Sequence, residues 1–144
     1  MITGFPTETE EQFQDTYNTL AELPWTKLHV FPYSERPGTR AAAMEESVYP
    51  HVRAERAQKL RELSIARYTS EAQKQIGTAK KVLVLKNAAK GGQGLSHDYW
   101  PVHIQGAESF IENWAGTEVP LVVTGYDHSN KQHMEGHLVA EVKV

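Results

Sequence analysis

The spacing of apolar residues changes near the middle of the chain, and this change constrains the fold more than any other feature. Up to about residue 75 apolar residues recur at helical spacing, as Phe13, Tyr17 and Leu20 do. From residue 80 onward, short apolar runs such as KKVLVLK alternate with Gly- and Asn-containing turns. The pattern predicts two domains, at 1–72 and 73–144, with the boundary somewhere between residues 69 and 79.

The first half has the order of elements of a β/α unit. A helix over 7–23 is predicted from a capping box of Thr7 and Glu10 and from Pro24, which cannot continue a helix. Leu28–Phe31 is predicted to be a short strand. Strand, loop and long helix in succession are part of an α/β architecture rather than a complete one.

A second helix is predicted from Pro50 to about Gln75. Its apolar face is formed by Val52, Leu60, Leu63 and Ala66. Its charged residues, among them Arg53 and Arg56, are expected to cover the remaining surface and to face solvent.

The second half predicts about four short strands closing into a small β-barrel. Pro101 interrupts a strand-like run and cannot donate a ladder hydrogen bond, so an edge or a bulge is expected there. Tyr99 and Trp100 are sequence neighbours, and strand neighbours point to opposite faces, so at most one of them is expected to face the core.

Composition excludes several classes of protein. The 144 residues carry a net charge of -3, which argues against a strongly basic nucleic-acid binder, and they contain no cysteine for a disulfide or a thiolate metal site. No apolar run reaches the length of about 20 residues that spans a bilayer, and no signal peptide is visible. A cytoplasmic protein without a membrane segment is therefore expected.

Two segments of the first half are candidate binding sites. In GFPTET, Gly4 permits a tight strand-to-helix junction, and the free N–H groups of the following helix could meet a polar ligand. In LHVFPYSERPGTR, the polar residues Tyr33, Ser34 and Arg36 precede the flexible Gly38, and Arg36 could bind a phosphate or carboxylate. A capped helix without ligand and a solvated turn are the respective alternatives.

The barrel offers a candidate RNA-binding surface and a weaker candidate metal site. Aromatic residues beside cations can stack bases and meet phosphates; the residues concerned are Lys86, Lys90, His97, Tyr99 and Trp100. The alternative is that the two aromatic residues belong to the core. The close spacing of His128, His133 and His137 is better explained by a polar hairpin loop than by a metal site. No spacing of Ser and His supports a catalytic set, so no catalytic residue is assigned.

Two motifs in order resemble a known family. ITGFPTETEEQF followed by LHVFPYSERPGTRAAAM resembles the last part of the radical-SAM core of the methylthiotransferases, and GLSHDYWPVHIQG resembles their TRAM domain, a small RNA-binding barrel. The resemblance implies an α+β fold: a fragment of a partial radical-SAM barrel followed by an OB-like antiparallel barrel. The form of the second motif is most similar to the branch that acts on threonylcarbamoyladenosine in tRNA.

The resemblance also implies an enzyme larger than this chain. Such an enzyme uses S-adenosylmethionine and two four-iron four-sulfur clusters, which are held by cysteines that this chain lacks. We therefore expect a C-terminal portion that binds no cluster, is inactive alone and depends on N-terminal domains for the reaction. Edges of the sliced barrel, within residues 1–45, are expected to support self-association.

The resemblance assigns roles to the candidate residues. Gly4, Phe5 and Glu8 would lie near S-adenosylmethionine, and the loop would line the barrel mouth near the modified base through Tyr33, Ser34, Arg36, Gly38 and Thr39. The TRAM-like barrel would grip the anticodon stem-loop of tRNA. Two alternatives remain open: a non-enzymatic, stand-alone RNA-binding module, and part of the branch that modifies a ribosomal protein.

Overall fold

A computed structural model describes residues 1–85, 92–105, 113–128 and 136–141. It confirms the mixed α+β class and divides into two compact units, Met1–Tyr68 and Thr69–Val144. The sequence-based domain limits of 1–72 and 73–144 remain a prediction.

The first unit is a short parallel β-α-β arrangement followed by the greater part of a long helix. Strand β1 (Ile2–Thr3) pairs in parallel with β2 (Phe31–Pro32), and helix α1 (Glu10–Glu22) connects them. A 3-10 turn (Ala41–Ala43) precedes helix α2 (Pro50–Gln75), whose limits agree with the predicted ones. The apolar core between these elements contains Phe13, Val30, Ala57 and Leu60.

The start of α1 differs from the prediction. The capping box is formed by Thr9 and Gln12, not by Thr7 and Glu10. Thr9 N donates to Gln12 Oε1 at 3.1 Å, and Gln12 N donates to Thr9 Oγ1 at 3.2 Å. Thr7 cannot begin the helix because its backbone is left-handed, with φ 74°, and its N–H donates to the carbonyl of Glu46. A long-range contact therefore decides between two capping motifs that overlap in the sequence.

The buried face of α2 also differs from the prediction. Arg53 and Arg56, expected to face solvent, are each only 5% exposed, whereas Ala66 is exposed. Leu60 is buried as predicted. The physical reason is that both arginines have partners: their guanidinium groups bind carboxylates and carbonyls of the first unit, which makes their burial favourable.

The predicted strand at Leu28–Phe31 is shorter and begins later than expected, at Phe31. The residues before it bind α2 instead of another strand. Leu28 N donates to Ser64 Oγ at 2.9 Å, and Arg61 Nη2 donates to the carbonyl of Val30 at 3.1 Å. Side chains of α2 thus replace the ladder partners of this segment.

In its described residues, the second unit is a closed barrel of five strands, one more than the approximate number predicted. The strands are β3 (Ala79–Val84), β4 (Gly92–Ser96), β5 (Pro101–Gln105), β6 (Glu118–Asp127) and β7 (His137–Glu141). They close in the order β3-β4-β5-β7-β6. The barrel is not wholly antiparallel as expected, because β5 and β7 pair in parallel. The order is consistent with the predicted OB-like barrel.

Alternation along each strand fills the barrel interior. In β3 the residues Lys80, Val82 and Val84 point inward and their neighbours outward. Trp100 is 6% exposed and Tyr99 is 82% exposed, which confirms that only one of the two faces the core. Pro101 is the first residue of β5, a position that tolerates the missing N–H. Within the described ranges, no helix has the length and apolarity needed to cross a membrane.

Candidate functional site

Arg53 organises the polar loop that follows β2. Its guanidinium group donates to four groups along the loop: the carbonyls of Tyr33 (3.1 Å) and Val48 (2.6 Å), the carboxylate of Glu35 (2.5 Å) and the hydroxyl of Ser47 (2.5 Å). The same guanidinium carbon lies 5.2 Å from the centre of the Tyr33 ring. One buried side chain therefore holds both ends of the loop, from residue 33 to residue 48.

Arg53 also brings the loop next to the turn after β1. A Cβ placed on Gly4 would lie 2.3 Å from Arg53 Cγ, and Gly4 has φ 71°, so no other residue fits without displacement. Phe5 packs edge-on against Tyr33 with ring centres 5.4 Å apart. Gly4–Phe5 and Tyr33, which were predicted as parts of two separate binding sites, are thus neighbours in the fold.

Glu8 is held by partners within the chain. Its Oε1 accepts from Gly4 N at 2.9 Å and from Arg56 Nη1 at 2.7 Å. Arg56 Nη2 also donates to Glu10 at 3.0 Å, which ties the start of α1 to α2. These contacts give Glu8 a structural role in shaping the turn; its assignment to S-adenosylmethionine stays a prediction.

The remaining loop residues predicted to bind substrate are exposed: Ser34, Arg36, Gly38 and Thr39. Thr39 folds the segment into a turn, because its N–H and hydroxyl both donate to the carbonyl of Arg36, at 3.2 and 2.8 Å. The neighbouring residues line an open surface pocket of about 540 Å³, formed by Pro37, Gly38, Thr39, Arg40, Ala42 and Ala43. Arg40, which the sequence analysis did not single out, adds a second exposed arginine near Arg36.

Electrostatics reinforce the contact between α2 and the loop. The hydrogen bond from Arg53 lowers the pKa of the Glu35 carboxyl, and the same hydrogen bond raises the pKa of Arg53. Both shifts favour the charged forms at neutral pH. The hydroxyl oxygen of Tyr33 is buried and finds no hydrogen-bond partner within the residues that the structure covers.

The candidate RNA-binding residues of the barrel separate into three groups. Tyr99 and His97 are exposed in the turn between β4 and β5. Trp100 is buried in the barrel and cannot present its ring to a ligand without unfolding the turn. Lys86 and Lys90 lie outside the described residues.

An ion pair between a buried lysine and a partly exposed aspartate supports that turn. Lys80, 6% exposed, donates to Asp98 Oδ2 at 2.5 Å, and Ser96 Oγ donates to Asp98 Oδ1 at 2.6 Å. Burial by itself would raise the pKa of Asp98, but the hydrogen bonds from Lys80 and Ser96 outweigh it and leave the pKa below its ordinary value. The turn is thus stabilised by an ion pair in which Asp98 belongs to the turn and Lys80 to β3.

The histidines do not form a metal site in the described part of the chain. His137 lies beside His103, with ring centres 5.5 Å apart, and its Nε2 is 3.9 Å from Asp127. Burial lowers the pKa of His137. His128 packs on Tyr126 and His133 lies outside the described residues. Across the described ranges, no three His, Asp or Glu side chains are placed to hold a metal ion.

Sequence reasoning missed the residues that shape both candidate regions. The burial of Lys80 could have been predicted, since alternation along β3 places it on the same inward face as Val82 and Val84. For Arg53 no such pattern existed, because its partners lie up to 20 residues away along the chain. A buried arginine on a helix is invisible to periodicity when its partners are backbone carbonyls.

The chain's residues do not fit an iron–sulfur cluster. Such a cluster needs thiolate ligands, and the chain has no cysteine. Any cluster used with this chain must therefore be held by residues outside these 144.

The fold defines a class: a short parallel β/α unit followed by a closed OB-like barrel. No family model matches the chain. It is 34% identical over 137 residues to the threonylcarbamoyladenosine tRNA methylthiotransferase MtaB of Bacillus subtilis, a match that covers 92% of this chain and 30% of that protein. It is 33% identical over 131 residues to the tRNA-2-methylthio-N(6)-dimethylallyladenosine synthase of Protochlamydia amoebophila, covering 89% of this chain and 28% of that protein.

A shorter match is stronger in identity. The dimethylallyladenosine-type synthase of Aquifex aeolicus is 42% identical over 84 residues, which is 58% of this chain. Over nearly its whole length the chain is therefore similar to a part of these tRNA methylthiotransferases, as the motifs predicted, and it spans less than a third of the length of these relatives. The two branches match at comparable identity, so the comparisons do not favour the threonylcarbamoyladenosine branch.

Proposed function

We propose that this chain is the substrate-binding portion of a tRNA methylthiotransferase. In this proposal the barrel grips the tRNA anticodon stem-loop, and the loop held by Arg53 faces the modified adenosine that receives the methylthio group. The cluster-bearing domains and the radical chemistry are supplied outside these 144 residues, so the chain alone is inactive. The proposal places the protein in the cytoplasm, with its substrate.

The observation that carries the proposal is the match over 92% of this chain to a protein named as a tRNA methylthiotransferase. The fold supports it in two ways. An OB-like barrel is a common single-strand nucleic-acid binder, and this one exposes Tyr99 and His97 in one turn. The loop after β2 exposes Arg36 and Arg40, whose guanidinium groups suit phosphates.

Binding to RNA across a salt series tests the proposal. An anticodon stem-loop carrying threonylcarbamoyladenosine is titrated with the chain between about 50 and 200 mM salt, where phosphate contacts weaken steeply. With two or three phosphate contacts to single-stranded RNA, the slope of log K against log salt should be about -1.5 to -2. Arg36→Gln should flatten that slope by about 0.7, and Lys59→Gln on α2 serves as the control for loss of a positive charge.

No binding of the wild-type chain at any salt concentration would contradict the proposal. Binding to a ribosomal protein, with none to the stem-loop, would favour the branch that modifies protein. Equal binding to the stem-loop and to a duplex of the same charge would show that the chain binds phosphates generally and does not recognise the anticodon stem-loop.

A second candidate is a stand-alone RNA-binding module without enzymatic function. The observation in its favour is that the barrel closes on itself within the second unit. The candidates differ in one measurement. Added to the cluster-bearing domains of a relative, the chain should restore methylthiolation of the stem-loop if the leading proposal holds, and should only bind RNA if it is a module.

We also propose that the first unit associates with a second copy of itself when no other chain covers it. Parallel sheets are normally covered on both faces, yet Ile2 (59% exposed) and its register partner Phe31 (61% exposed) point away from the core. Light scattering should show a dimer at micromolar concentration that Phe31→Glu dissociates. A wild-type monomer under these conditions would contradict the idea.

A further inference from the structure

Tyr99 has a backbone conformation that its side chain disfavours. Its φ is 67°, in the left-handed region, and the residue is 82% exposed. A three-residue hairpin loop commonly needs one residue in this region, and glycine or asparagine is the usual choice. A bulky residue with positive φ is a true outlier, and such strain often marks a functional position.

The surrounding turn holds Tyr99 in this conformation. Tyr99 N donates to the carbonyl of Ser96 at 2.9 Å, and Ser96 N donates to the carbonyl of Trp100 at 2.9 Å. Trp100 N donates to Ser96 Oγ at 2.9 Å, while the buried Trp100 ring anchors the end of the turn. The ion pair between Lys80 and Asp98 holds the middle of the turn in place. Residues on both sides of Tyr99 are thus fixed, and its ring is directed to solvent.

We propose that Tyr99 is a preformed stacking platform for an unpaired RNA base, and that Lys80 and Asp98 are its positioning residues. This inference rests on the proposed RNA-binding function of the barrel and names the contact that it uses. Aromatic rings stack on any base, and a ring carried by a turn whose backbone is already ordered costs less conformational entropy on binding than one on a disordered segment.

Charge supports stacking as the main contact in this part of the barrel. Lys80 is neutralised by Asp98 and is buried, so it cannot bind a phosphate. Residues 76–144 carry six lysines and seven acidic residues, so the barrel as a whole does not attract a polyanion strongly. Lys81 lies next to the turn, because its carbonyl accepts a hydrogen bond from His97 N at 3.0 Å. Its side chain is exposed and faces outward, so it can contact a phosphate beside the stacked base.

Substitutions of Tyr99 separate ring chemistry from backbone strain. Tyr99→Phe keeps the ring and should bind the anticodon stem-loop within about two-fold of wild type, whereas Tyr99→Asn should bind about 10-fold or more weakly. Asparagine tolerates positive φ, so Tyr99→Asn should also raise the melting temperature. Weaker binding by a more stable protein cannot be explained by unfolding. Tyr49→Asn, at a tyrosine that is 72% exposed in the first unit, is the matched control and should leave RNA affinity unchanged.

A double-mutant cycle tests the positioning role. Asp98→Asn should weaken RNA binding in the wild-type background, because the turn loses its ion pair with Lys80. In the Tyr99→Asn background the same change should lower stability but should leave the remaining RNA affinity unchanged. An equal loss of affinity in both backgrounds would show that Asp98 does not act through Tyr99 and would overturn the positioning role.

The outcomes distinguish this inference from the proposed function. If the wild-type chain binds no RNA at any salt concentration, the proposed function fails. If the wild-type chain binds and Tyr99→Asn binds equally well, the barrel is an RNA-binding domain but Tyr99 is not its stacking platform. If Tyr99→Phe loses as much affinity as Tyr99→Asn, the hydroxyl and not the ring makes the contact, and stacking is wrong.

Discussion

Two polar segments of this protein, the loop after β2 and the turn between β4 and β5, are each held by a buried cation paired with a more exposed carboxylate. Arg53 and Lys80 are 5% and 6% exposed as residues. The side chains of their partners, Glu35 and Asp98, are 54% and 39% exposed. In both regions the cation belongs to regular secondary structure and the carboxylate to the irregular segment.

The two devices differ in how much chain depends on them. Arg53 binds groups from residue 33 to residue 48, and the two backbone carbonyls among them lie at opposite ends of the loop. Lys80 binds a turn of five residues that backbone hydrogen bonds already close. A guanidinium group has five donors in a fixed fork, whereas an ammonium group is a single compact charge. An arginine can therefore organise a long loop, and a lysine suffices for a tight turn.

The largest effect is expected from Arg53→Met. It leaves the carbonyls of Tyr33 and Val48 without their donor and removes the ion pair with Glu35. The free energy of unfolding of the first unit should fall by about 3 kcal/mol, as measured by urea denaturation. Lys59→Met is the control, since the exposed pair of Lys59 with Glu55 contributes only about 0.4 kcal/mol.

Loss of Arg53 should also open the loop locally. Trypsin should cut after Arg40 faster in Arg53→Met than in wild type under conditions where both proteins are folded. Equal cleavage rates would mean that the loop is ordered without Arg53, and the contrast between the two cations would not hold.

Gly4→Ala should have the next largest effect. The added Cβ meets Arg53 at 2.3 Å and the backbone remains at φ 71°, so steric overlap adds to backbone strain. A loss of about 2 to 3 kcal/mol in unfolding free energy is expected. Gly38→Ala isolates the strain, because Gly38 has φ 81° and open space around it, and should cost about 1 kcal/mol. If the two variants lose equal stability, Gly4 is not packed against Arg53.

In the barrel, the two halves of the ion pair should be unequal. Asp98→Asn leaves the buried ammonium group of Lys80 without its carboxylate and should cost about 2 kcal/mol. Lys80→Met removes the buried charge and leaves the partly exposed Asp98 to water, at a cost of about 1 kcal/mol or less. Urea denaturation of both variants measures the difference. A larger loss for Lys80→Met would show that the carboxylate, not the ammonium group, is the poorly solvated partner.

Sequence patterns predicted the elements better than the contacts that shape the candidate site. Alternation in AKKVLV indicated a strand because each inward residue has a neighbour two positions away. The limits of α2 followed from Pro50 and from the helical spacing of residues close in sequence. Both patterns depend on residues close together in sequence, and such residues remain neighbours in the folded chain.

The errors arose where distant residues decide between local alternatives. Thr9 and not Thr7 caps α1, because the N–H of Thr7 donates to the carbonyl of Glu46, which lies far along the chain. Arg53 and Arg56 were expected on the surface because charged residues on a helix usually lie there, yet carbonyls and carboxylates from other segments surround them. The resemblance named Tyr33 and Glu8 as site residues, but the arginines that hold them came only from the structure.

Acid should weaken both segments, and this is the smallest of the expected effects because both carboxylates are partly exposed. The pKa values of Glu35 and Asp98 are lowered from ordinary values of 4.5 and 3.8. A lowered pKa in the folded state means that the contribution to stability is present above the ordinary value and is lost as the pH falls through the folded pKa.

Hydrogen exchange of the amides of residues 33–48 and 96–100, followed from pH 7 to pH 2.5, measures this loss against that of the whole protein. Glu35→Gln and Asp98→Asn should lack the acid-induced loosening of their own segment, while protonation of the other carboxylates affects variant and wild type alike. The protection of each wild-type segment should approach that of its variant as the pH falls below about 4, the range of unperturbed carboxyl groups. A constant gap between wild type and variant down to pH 2.5 would mean that the charge of the carboxylate does not hold the segment, and that the neutral hydrogen bonds around each cation suffice.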